Sequence, residues 1–566
     1  MLQAKGAPVK FNEMEYNRAD CQALGGQYQV LITQVGESTD AEGLIALVLE
    51  HEKLAKHILT MSTLAEVRNT INTEDPFYKA EKEYYDENLP VLQEQVQAFL
   101  KSIFQSLHRP KLEERFGKLF FINMEMELKT FKPEIIPQLQ EENKLTSKYQ
   151  ELIASAQIDF DGKVVNLSQL SAYKENPDRE VRHGAYLAES GFFSENQQEL
   201  DRIFDELVRV RTEIAVALGL RNFTELGYLR MTRNCYNPSM VSSFRHQIVD
   251  DIVPLVGKLK ELQAERIGID KLKIYDDVFG YKEGNPKPDG TPEEILAAGK
   301  KMYEEMSSET KEFIEFMFDN ELFDVITKKG KAAGGYCTEF PDFKAPFIFA
   351  NFNGTSGDVD VLTHEAGHAF ASYLARDFEL VENTAPTYES CEVHSMSMEF
   401  IAWKWLELFY GADTDRAKFM HLESSLVFLP YGTMVDEFQH VIYDNPKLTP
   451  KERCDAWLTL EKKYRPYMDF DDVDFYARGS GWQRQLHIYQ YPFYYIDYCL
   501  AQTVALYFWS LTQQDFEDAW KKYMAFTAQG GTKTFVELCA VAGIKTPFEE
   551  GSVKTITNTA GDWLKK

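Results

Sequence analysis

Long apolar runs are missing from this chain of 566 residues. A helix that crosses a membrane needs roughly 18 or more consecutive apolar residues, whereas the longest candidates here are short pieces such as Gly43 to Leu49. The first twenty residues carry Lys5, Lys10, Glu13 and Glu15 in place of the apolar segment of a secretory signal. We therefore expect a globular protein in the cytoplasm, with no membrane partner.

Cysteine and positive charge are also scarce. The seven cysteines form no C-x-x-C pair, which excludes a zinc ribbon and predicts reduced thiols. The chain has 61 Lys and Arg residues against 89 Asp and Glu residues, a net charge of -28. This charge repels the phosphates of nucleic acids, so we expect no nucleic-acid partner.

Helical periodicity dominates the sequence. Apolar residues recur at helical spacing from Asp40 to Arg109 and again from Asp178 to Leu220, which predicts a mostly α protein with many helices. A short aromatic run from Ala345 to Phe352 predicts a small β element, and Pro346 favours an edge position in it. Such an edge can pair with an extended peptide; an ordinary half-buried strand is the alternative interpretation.

The motif H-E-x-x-H stands at His364, Glu365 and His368, in an apolar-periodic segment that predicts a helix over about residues 356–376. Residues four apart lie on one face of a helix, so the two imidazoles can bind one metal ion. Glu365 lies beside them, where its carboxylate can take the proton of a water activated by the metal. The alternative is a pair of ordinary surface or core histidines.

A second pair of histidines, His51 and His57, follows a similar pattern at a spacing of six residues. Six residues turn a helix by about 240°, so these two side chains cannot share an ion. We expect both on the surface.

The segment from Tyr388 to Phe409 predicts a helix in which several glutamates stand among apolar residues. Buried carboxylates are costly unless they are paired or bound to a metal, so a third metal ligand is expected here. Farther on, the segment from Trp482 to Tyr498 holds one histidine and five tyrosines. Phenol groups can stabilise an oxyanion, although they are also common core material.

Together these segments resemble the thimet oligopeptidase and oligoendopeptidase F zinc peptidases. The first match is the H-E-A-G-H motif, and the second is the segment Glu392 to Glu399, which is similar to a family segment with a glutamate ligand followed seven residues later by a supporting glutamate. The third match, similar to the family's substrate and oxyanion cluster, consists of His487, Tyr491, Tyr495 and Tyr498.

The resemblance implies a two-lobed, mostly α body with a deep substrate channel, and the small β element would lie near the zinc helix. We expect an N-terminal helical lobe at residues 1–180 and the catalytic region at residues 181–566. Such a channel would admit short flexible peptides and exclude folded proteins.

The resemblance also implies one Zn²⁺ per chain, with His364, His368 and Glu392 as its ligands. Glu389, one helical turn earlier, is the rival for the third place. Glu399 would orient a ligand histidine through a hydrogen bond. Two histidines and a carboxylate can also hold cobalt or manganese.

In the implied reaction, Glu365 is the general base and Tyr498 donates to the oxyanion. His487 would help at the same centre or bind substrate, and Tyr491 and Tyr495 would bind substrate. We therefore predict a zinc endopeptidase that cuts internal bonds of short oligopeptides.

Two other functions are compatible with the motif. An H-E-x-x-H aminopeptidase would cut only peptides with a free amino terminus, and a non-catalytic peptide-binding or zinc-storing protein would have no use for Glu365. The sequence does not predict an oligomeric state.

Overall fold

The computed structural model of the chain describes residues 9–332, 334–352 and 356–564. Most of these residues are helical, which confirms the mostly α prediction. They group into two compact units, each drawn from three separate stretches of sequence. The first unit takes its described residues from 1–128, 287–414 and 504–545, and the second from 129–286, 415–503 and 546–566.

Five strands and a series of helices make up the described residues. The strands are β1 (Ile158–Phe160), β2 (Lys163–Val165), β3 (Phe323–Ile326), β4 (Tyr336–Phe340) and β5 (Ala345–Phe352). The helices are α1 (Cys21–Glu37), α2 (Ala41–Ile71), α3 (Pro76–Phe104), α4 (Arg109–Phe116), α5 (Lys118–Leu128), α6 (Ile136–Ala154), α7 (Leu167–Tyr173), α8 (Arg179–Glu195), α9 (Gln197–Leu218), α10 (Phe223–Arg230), α11 (Pro238–Gln247), α12 (Val253–Ile267), α13 (Pro292–Met306), α14 (Ser308–Asp319), α15 (Ser356–Ala375), α16 (Tyr388–Ile401), α17 (Glu407–Tyr410), α18 (Thr414–Asp444), α19 (Pro450–Tyr464), α20 (Asp474–Ala477), α21 (Leu486–Gln490), α22 (Tyr495–Thr512), α23 (Phe516–Thr527), α24 (Phe535–Ala542) and α25 (Ser552–Trp563). A short 3₁₀ turn, Val381–Asn383, lies between α15 and α16.

Many helix starts follow the rules of N-terminal capping. The side chains of Asp20 and Asp40 accept hydrogen bonds from the first turns of α1 and α2. Thr291 and Glu294 form a reciprocal capping box at α13, and Pro292 occupies the first helical position. These contacts satisfy backbone amides that have no partner inside the helix.

The small sheet of the first unit has the strand order β3-β5-β4. The β5 strand is therefore central, and the prediction that it lies at an edge is wrong. Pro346 is tolerated because it pairs on one side only: it faces Glu339 of β4, whereas pairing with β3 begins at Ile348. Locally, Pro346 is still in a position where its missing N–H breaks no ladder bond to β3.

Helix α15 lies in the first unit against β4, β5, α13 and α16. Its bounds agree with the helix predicted for the H-E-x-x-H motif, and the predicted β element near this helix is confirmed. A methyl group on Gly299 of α13 would lie 2.3 Å from a methyl of Leu362, so α13 and α15 pack in close contact. The helix that carries the motif is thereby held from several sides.

Among the described residues, no helix combines the length and the apolar character that a membrane span requires. All seven cysteines are free thiols, as the sequence predicted. The two-lobed shape with a channel and the domain boundary near residue 180 stay predictions.

Candidate metal centre and active site

His364, His368 and Glu392 come together in the first unit. One ligand atom from each lies within 4.8 Å of the other two. Nε2 of His364 is 3.4 Å and Nε2 of His368 is 3.6 Å from the same Oε2 of Glu392. Tetrahedral donors at zinc bond lengths of about 2.0–2.2 Å lie about 3.3–3.6 Å apart. The donor types and their spacing therefore fit a zinc ion.

The close packing of α15 against α16 brings these three side chains together. A methyl group on Gly367 would lie 2.6 Å from Cα of Ser395 and 2.7 Å from the carbonyl oxygen of His394. Only glycine permits so short an approach. The backbone of α16 therefore passes directly over the motif, and Glu392 reaches both histidines.

The charged groups around Glu392 and His364 favour a positive charge next to the carboxylate of Glu392. Burial would raise the pKa of Glu392, but the hydrogen bonds and charges of His364 and His368 outweigh it and hold this pKa far below its usual range. Burial would lower the pKa of His364, yet the carboxylates of Glu392 and Glu399 raise it well above 6.5. A divalent cation at this place would satisfy the same carboxylates.

Glu399 stands on the far side of His364. Its Oε1 lies 2.7 Å from Nδ1 of His364, which leaves Nε2 facing Glu392. A ligand histidine commonly has such a carboxylate on its second nitrogen, because the contact fixes the ring and its tautomer. The position of Glu399 fits the supporting role that the sequence predicts.

Glu389, the rival third ligand, has other surroundings. It is buried on α16, and its Oε1 accepts a hydrogen bond of 2.5 Å from Oγ1 of Thr387. It is not part of the group formed by His364, His368 and Glu392. The geometry therefore favours Glu392 over Glu389.

Glu365 follows His364 on α15 and is half-buried. Burial raises the pKa of its carboxyl, whereas His364, His368 and a hydrogen bond from the backbone N–H of Cys337 oppose the rise. Cys337 belongs to strand β4. The small sheet thus lies beside the predicted general base and influences its pKa.

Helix α16 is supported from its other side by α23. The hydroxyl of Tyr523 donates to the carbonyl oxygen of His394 at 2.9 Å, and both residues are buried. Burial lowers the pKa of His394 to about 3, so its ring is neutral. The backbone next to Glu392 is therefore fixed by a contact from the last stretch of the first unit.

The predicted substrate cluster lies in the second unit. The ring of His487 is 4.9 Å from Tyr495 and 5.8 Å from Tyr498, centroid to centroid, and the two tyrosines are 5.7 Å apart. Tyr491 is 6.4 Å from His487 and 54% exposed. Tyr494, which the sequence did not single out, packs 4.9 Å from Tyr498.

His487 is held in one tautomer. Nε2 of Gln485 donates to Nδ1 of His487 at 2.9 Å, and the hydroxyl of Tyr431 donates to Oε1 of Gln485 at 2.8 Å. Burial lowers the pKa of His487 to about 4, so the ring is neutral at pH 7. Its proton is then on Nε2, which makes that atom a hydrogen-bond donor.

Two sequence profiles match most of the chain. Residues 11–131 match the peptidase M3 N-terminal domain, and residues 172–557 match peptidase family M3. The chain belongs to peptidase family M3. The family predicted from the three motifs is thereby confirmed.

Relatives of this M3 family member carry oligopeptidase names. Oligopeptidase PepF of Bacillus subtilis (strain 168) is 22% identical over 89% of this chain and 78% of its own length. For an oligoendopeptidase F homolog of Lactococcus lactis subsp. lactis (strain IL1403), identity is 22% and the match spans only 61% of that protein and 66% of this chain. A solved structure of PZ peptidase A with inhibitor 2 is 47% identical, with a TM-score of 0.91 over 98% of this chain and 99% of that one.

Sequence reasoning missed three contributors to the centre of this M3 family member. They are Gly367, the backbone N–H of Cys337 and the hydroxyl of Tyr523. Gly367 had a signal, because a glycine inside a helix usually has a packing reason. The other two depend on contacts between distant segments, for which the sequence offers no local sign.

Proposed function

We propose that this M3 family chain is a zinc-dependent endopeptidase that hydrolyses internal bonds of short oligopeptides. The observation that carries the proposal is the meeting of His364, His368 and Glu392, with Glu365 on the same helix. Three protein ligands are the number that a catalytic zinc uses, because its fourth position is kept for water or substrate.

The ligand set fits zinc in donor type as well as spacing. Two neutral imidazoles are borderline donors and the carboxylate is a hard donor, and zinc binds such a mixed set in catalytic sites. When bound, zinc supplies a Lewis acid that polarises a carbonyl and lowers the pKa of water toward about 7. Glu399 holds the ring of His364 so that Nε2 is the atom available for binding.

Glu365 moves the proton. Its carboxyl has a raised pKa because it is buried, which makes it a stronger base than an exposed glutamate. The carboxylate accepts a proton from the attacking water and then delivers it to the nitrogen of the leaving amine.

We assign substrate binding to His487 and the tyrosines that follow it. We assign to Tyr498 the hydrogen bond to the oxyanion, made through its phenolic O–H. His487, neutral and protonated at Nε2, binds substrate or helps at the same centre, and Tyr495 and Tyr491 contact the peptide. The ring packing of His487, Tyr495 and Tyr498 supports a joint role.

Short peptides are the proposed substrates. The names of the Bacillus subtilis and Lactococcus lactis relatives support this choice, and so does the channel implied by the resemblance. A channel of that kind excludes folded proteins, because a folded chain must unravel before it can enter. A cytoplasmic location belongs to the same proposal.

Digestion of a mixed peptide library tests the proposal, with both ends of every peptide capped and with products identified by mass spectrometry. We expect internal cleavage of short peptides, abolished by a chelator and restored by Zn²⁺. Cleavage that requires a free amino terminus would instead establish an aminopeptidase. Binding without any cleavage would establish a non-catalytic peptide-binding protein.

A further inference from the structure

A second cluster of metal-binding side chains lies in the first unit. His51 and Glu52 on α2 and Glu382 in the turn Val381–Asn383 each offer one ligand atom, and these atoms all lie within 4.8 Å of one another. The expectation that His51 lies on the surface is wrong, since it is 2% exposed. Its ring packs 5.1 Å from that of Phe99 on α3, a contact between helices that periodicity alone does not reveal.

His51 is arranged as a ligand histidine would be. Its Nδ1 lies 2.9 Å from the hydroxyl of Tyr28 on α1. Its Nε2 is buried and has no hydrogen-bond partner among the described residues. Burial lowers the pKa of His51 to about 4, so the ring is neutral. The tautomer that binds a metal is the one in which Nδ1–H donates to the hydroxyl of Tyr28 and the lone pair on Nε2 is available, as in ligand histidines whose other nitrogen is held by an oxygen.

Glu52 presents a second open atom. Its Oε2 accepts a hydrogen bond of 2.7 Å from the backbone N–H of Val381. Its Oε1 is buried and, within the described part of the chain, also lacks a hydrogen-bond partner. Buried polar atoms without partners are rare and usually mark a bound water, an ion or a functional group.

The carboxyl groups of Glu52 and Glu382 interact closely with each other. Burial, the negative charge of Glu382 and a hydrogen bond with Glu382 raise the pKa of Glu52 to about 8, so near pH 7 the two carboxyl groups hold one proton that a metal ion would displace. Glu127 adds negative charge near Glu382, and Lys56 is the positive group that opposes it. Two carboxylates this close need a proton or a metal ion between them.

We propose that Nε2 of His51, Oε1 of Glu52 and the carboxylate of Glu382 bind one divalent transition-metal cation of the Zn²⁺ class. One imidazole and two carboxylates form a donor set that suits such ions. Glu382 is exposed, so the ion keeps access to solvent and can complete its coordination with water. This site is separate from the centre at His364, His368 and Glu392.

The cation would act on structure and would not take part in peptide hydrolysis. It would tie α2 to the turn Val381–Asn383, and that turn belongs to the connection between α15 and α16. Helix α15 carries His364 and His368, and helix α16 carries Glu392, which are the ligands of the candidate metal centre. A metal ion that binds only the folded chain raises its stability in proportion to the logarithm of its concentration.

The test counts metal ions in the holoenzyme. Wild-type protein that keeps its catalytic metal is titrated with Zn²⁺, followed by calorimetry and by elemental analysis after dialysis. We expect one additional equivalent in the wild type, with its affinity lowered at least about 10-fold in Glu52→Gln and Glu382→Gln. Glutamine at position 52 keeps an oxygen for the N–H of Val381.

His57→Gln is the matched control, since His57 lies on the same helix and pairs with Asp342 at 3.0 Å. This variant should keep the additional equivalent. Equal zinc binding in the wild type, Glu52→Gln and Glu382→Gln would overturn the proposal, as would the same loss in His57→Gln.

Thermal unfolding provides a second readout. Once the catalytic site is filled by one equivalent, further Zn²⁺ should raise the melting temperature of the wild type. The same addition should not raise the melting temperature of Glu382→Gln. An equal rise in both would contradict the site. Glu382→Gln should hydrolyse peptides at the wild-type rate, so the outcome here is independent of the proposed peptidase function.

Discussion

Cα of Ser395 lies 2.6 Å from the point where a side-chain methyl on Gly367 would begin. This distance is too short for a contact between two carbon atoms. The helices α15 and α16 can therefore pack this closely only because position 367 has no side chain. The two histidines lie on α15 and Glu392 lies on α16, so the spacing of these helices also determines the distance between the carboxylate and the imidazoles. We therefore expect metal affinity and helix packing to be coupled at Gly367.

Gly367→Ala should push the two helices apart. We expect a loss of about 1–3 kcal/mol in the free energy of unfolding, because overpacking a tight core has that cost, together with zinc affinity lowered at least about 10-fold. Urea unfolding and competition with a chelator measure the two effects. Gly26→Ala on α1 is the control, since a methyl there meets nothing within 4 Å. Equal zinc affinity in both variants would contradict the coupling.

Glu392→Ala should weaken zinc binding by at least about 10-fold. Loss of a residue that only supports a ligand already has an effect of this size, and Glu392 is a ligand itself. Glu389→Ala should leave zinc affinity near the wild-type value, because its carboxylate accepts from Thr387 and does not join the three ligands. Chelator competition on the two purified variants decides between them. The reverse pattern would move the third ligand to Glu389.

Glu365→Gln should keep one zinc per chain and lose hydrolysis. The ligands are intact in this variant, whereas the base that contributes about 10²–10⁴ to the rate is gone. Elemental analysis and the rate of cleavage of a capped peptide measure the two properties. A variant that cleaves at the wild-type rate would show that another group takes the proton.

Tyr498→Phe should reduce kcat by about 10²–10³, which is typical for the loss of one oxyanion donor, with zinc retained. Tyr494→Phe is the control, because its ring packs 4.9 Å from Tyr498 and has no assigned role in the reaction. Steady-state kinetics on a capped peptide separate kcat from KM. If kcat falls equally in both variants, the effect comes from packing and not from a donated hydrogen bond.

His487 should make the protein less stable in mild acid. Burial lowers its folded pKa from 6.5 to about 4, so the folded state favours the neutral ring. The stability that this preference contributes is present above pH 6.5 and is lost as the pH falls toward 4. His487→Gln should therefore show a smaller drop in unfolding free energy between pH 7.5 and about pH 5. The same slope in variant and wild type would contradict the lowered pKa.

Local patterns in the sequence predicted part of the candidate metal centre. The two histidines and Glu365 follow from helical spacing. Glu392 and Glu399 were singled out by the resemblance to the family, because spacing alone left Glu389 as an equal candidate. The capping box at Thr291 is similarly local. Each of these depends on residues that are close in sequence, where helix geometry fixes what lies next to what.

The errors concern contacts between distant segments. Pro346 suggested an edge strand, yet β3 pairs with β5 only from Ile348 onward and leaves the proline outside that ladder. His51 looked like a surface residue, yet Tyr28 and Phe99 from other helices surround it. The residues next to Pro346 or His51 in the sequence do not show which distant segments these two residues contact.

The contact between Tyr523 and the carbonyl of His394 has a consequence for biosynthesis. Both histidines and Glu392 leave the ribosome well before residue 523, so the nascent chain carries all three ligands while the helix that holds α16 from behind is still missing. Domains made of distant stretches cannot finish folding during synthesis until their last stretch emerges. We therefore expect the proposed metal centre to be held firmly, and the proposed peptidase activity to appear, only near the end of translation.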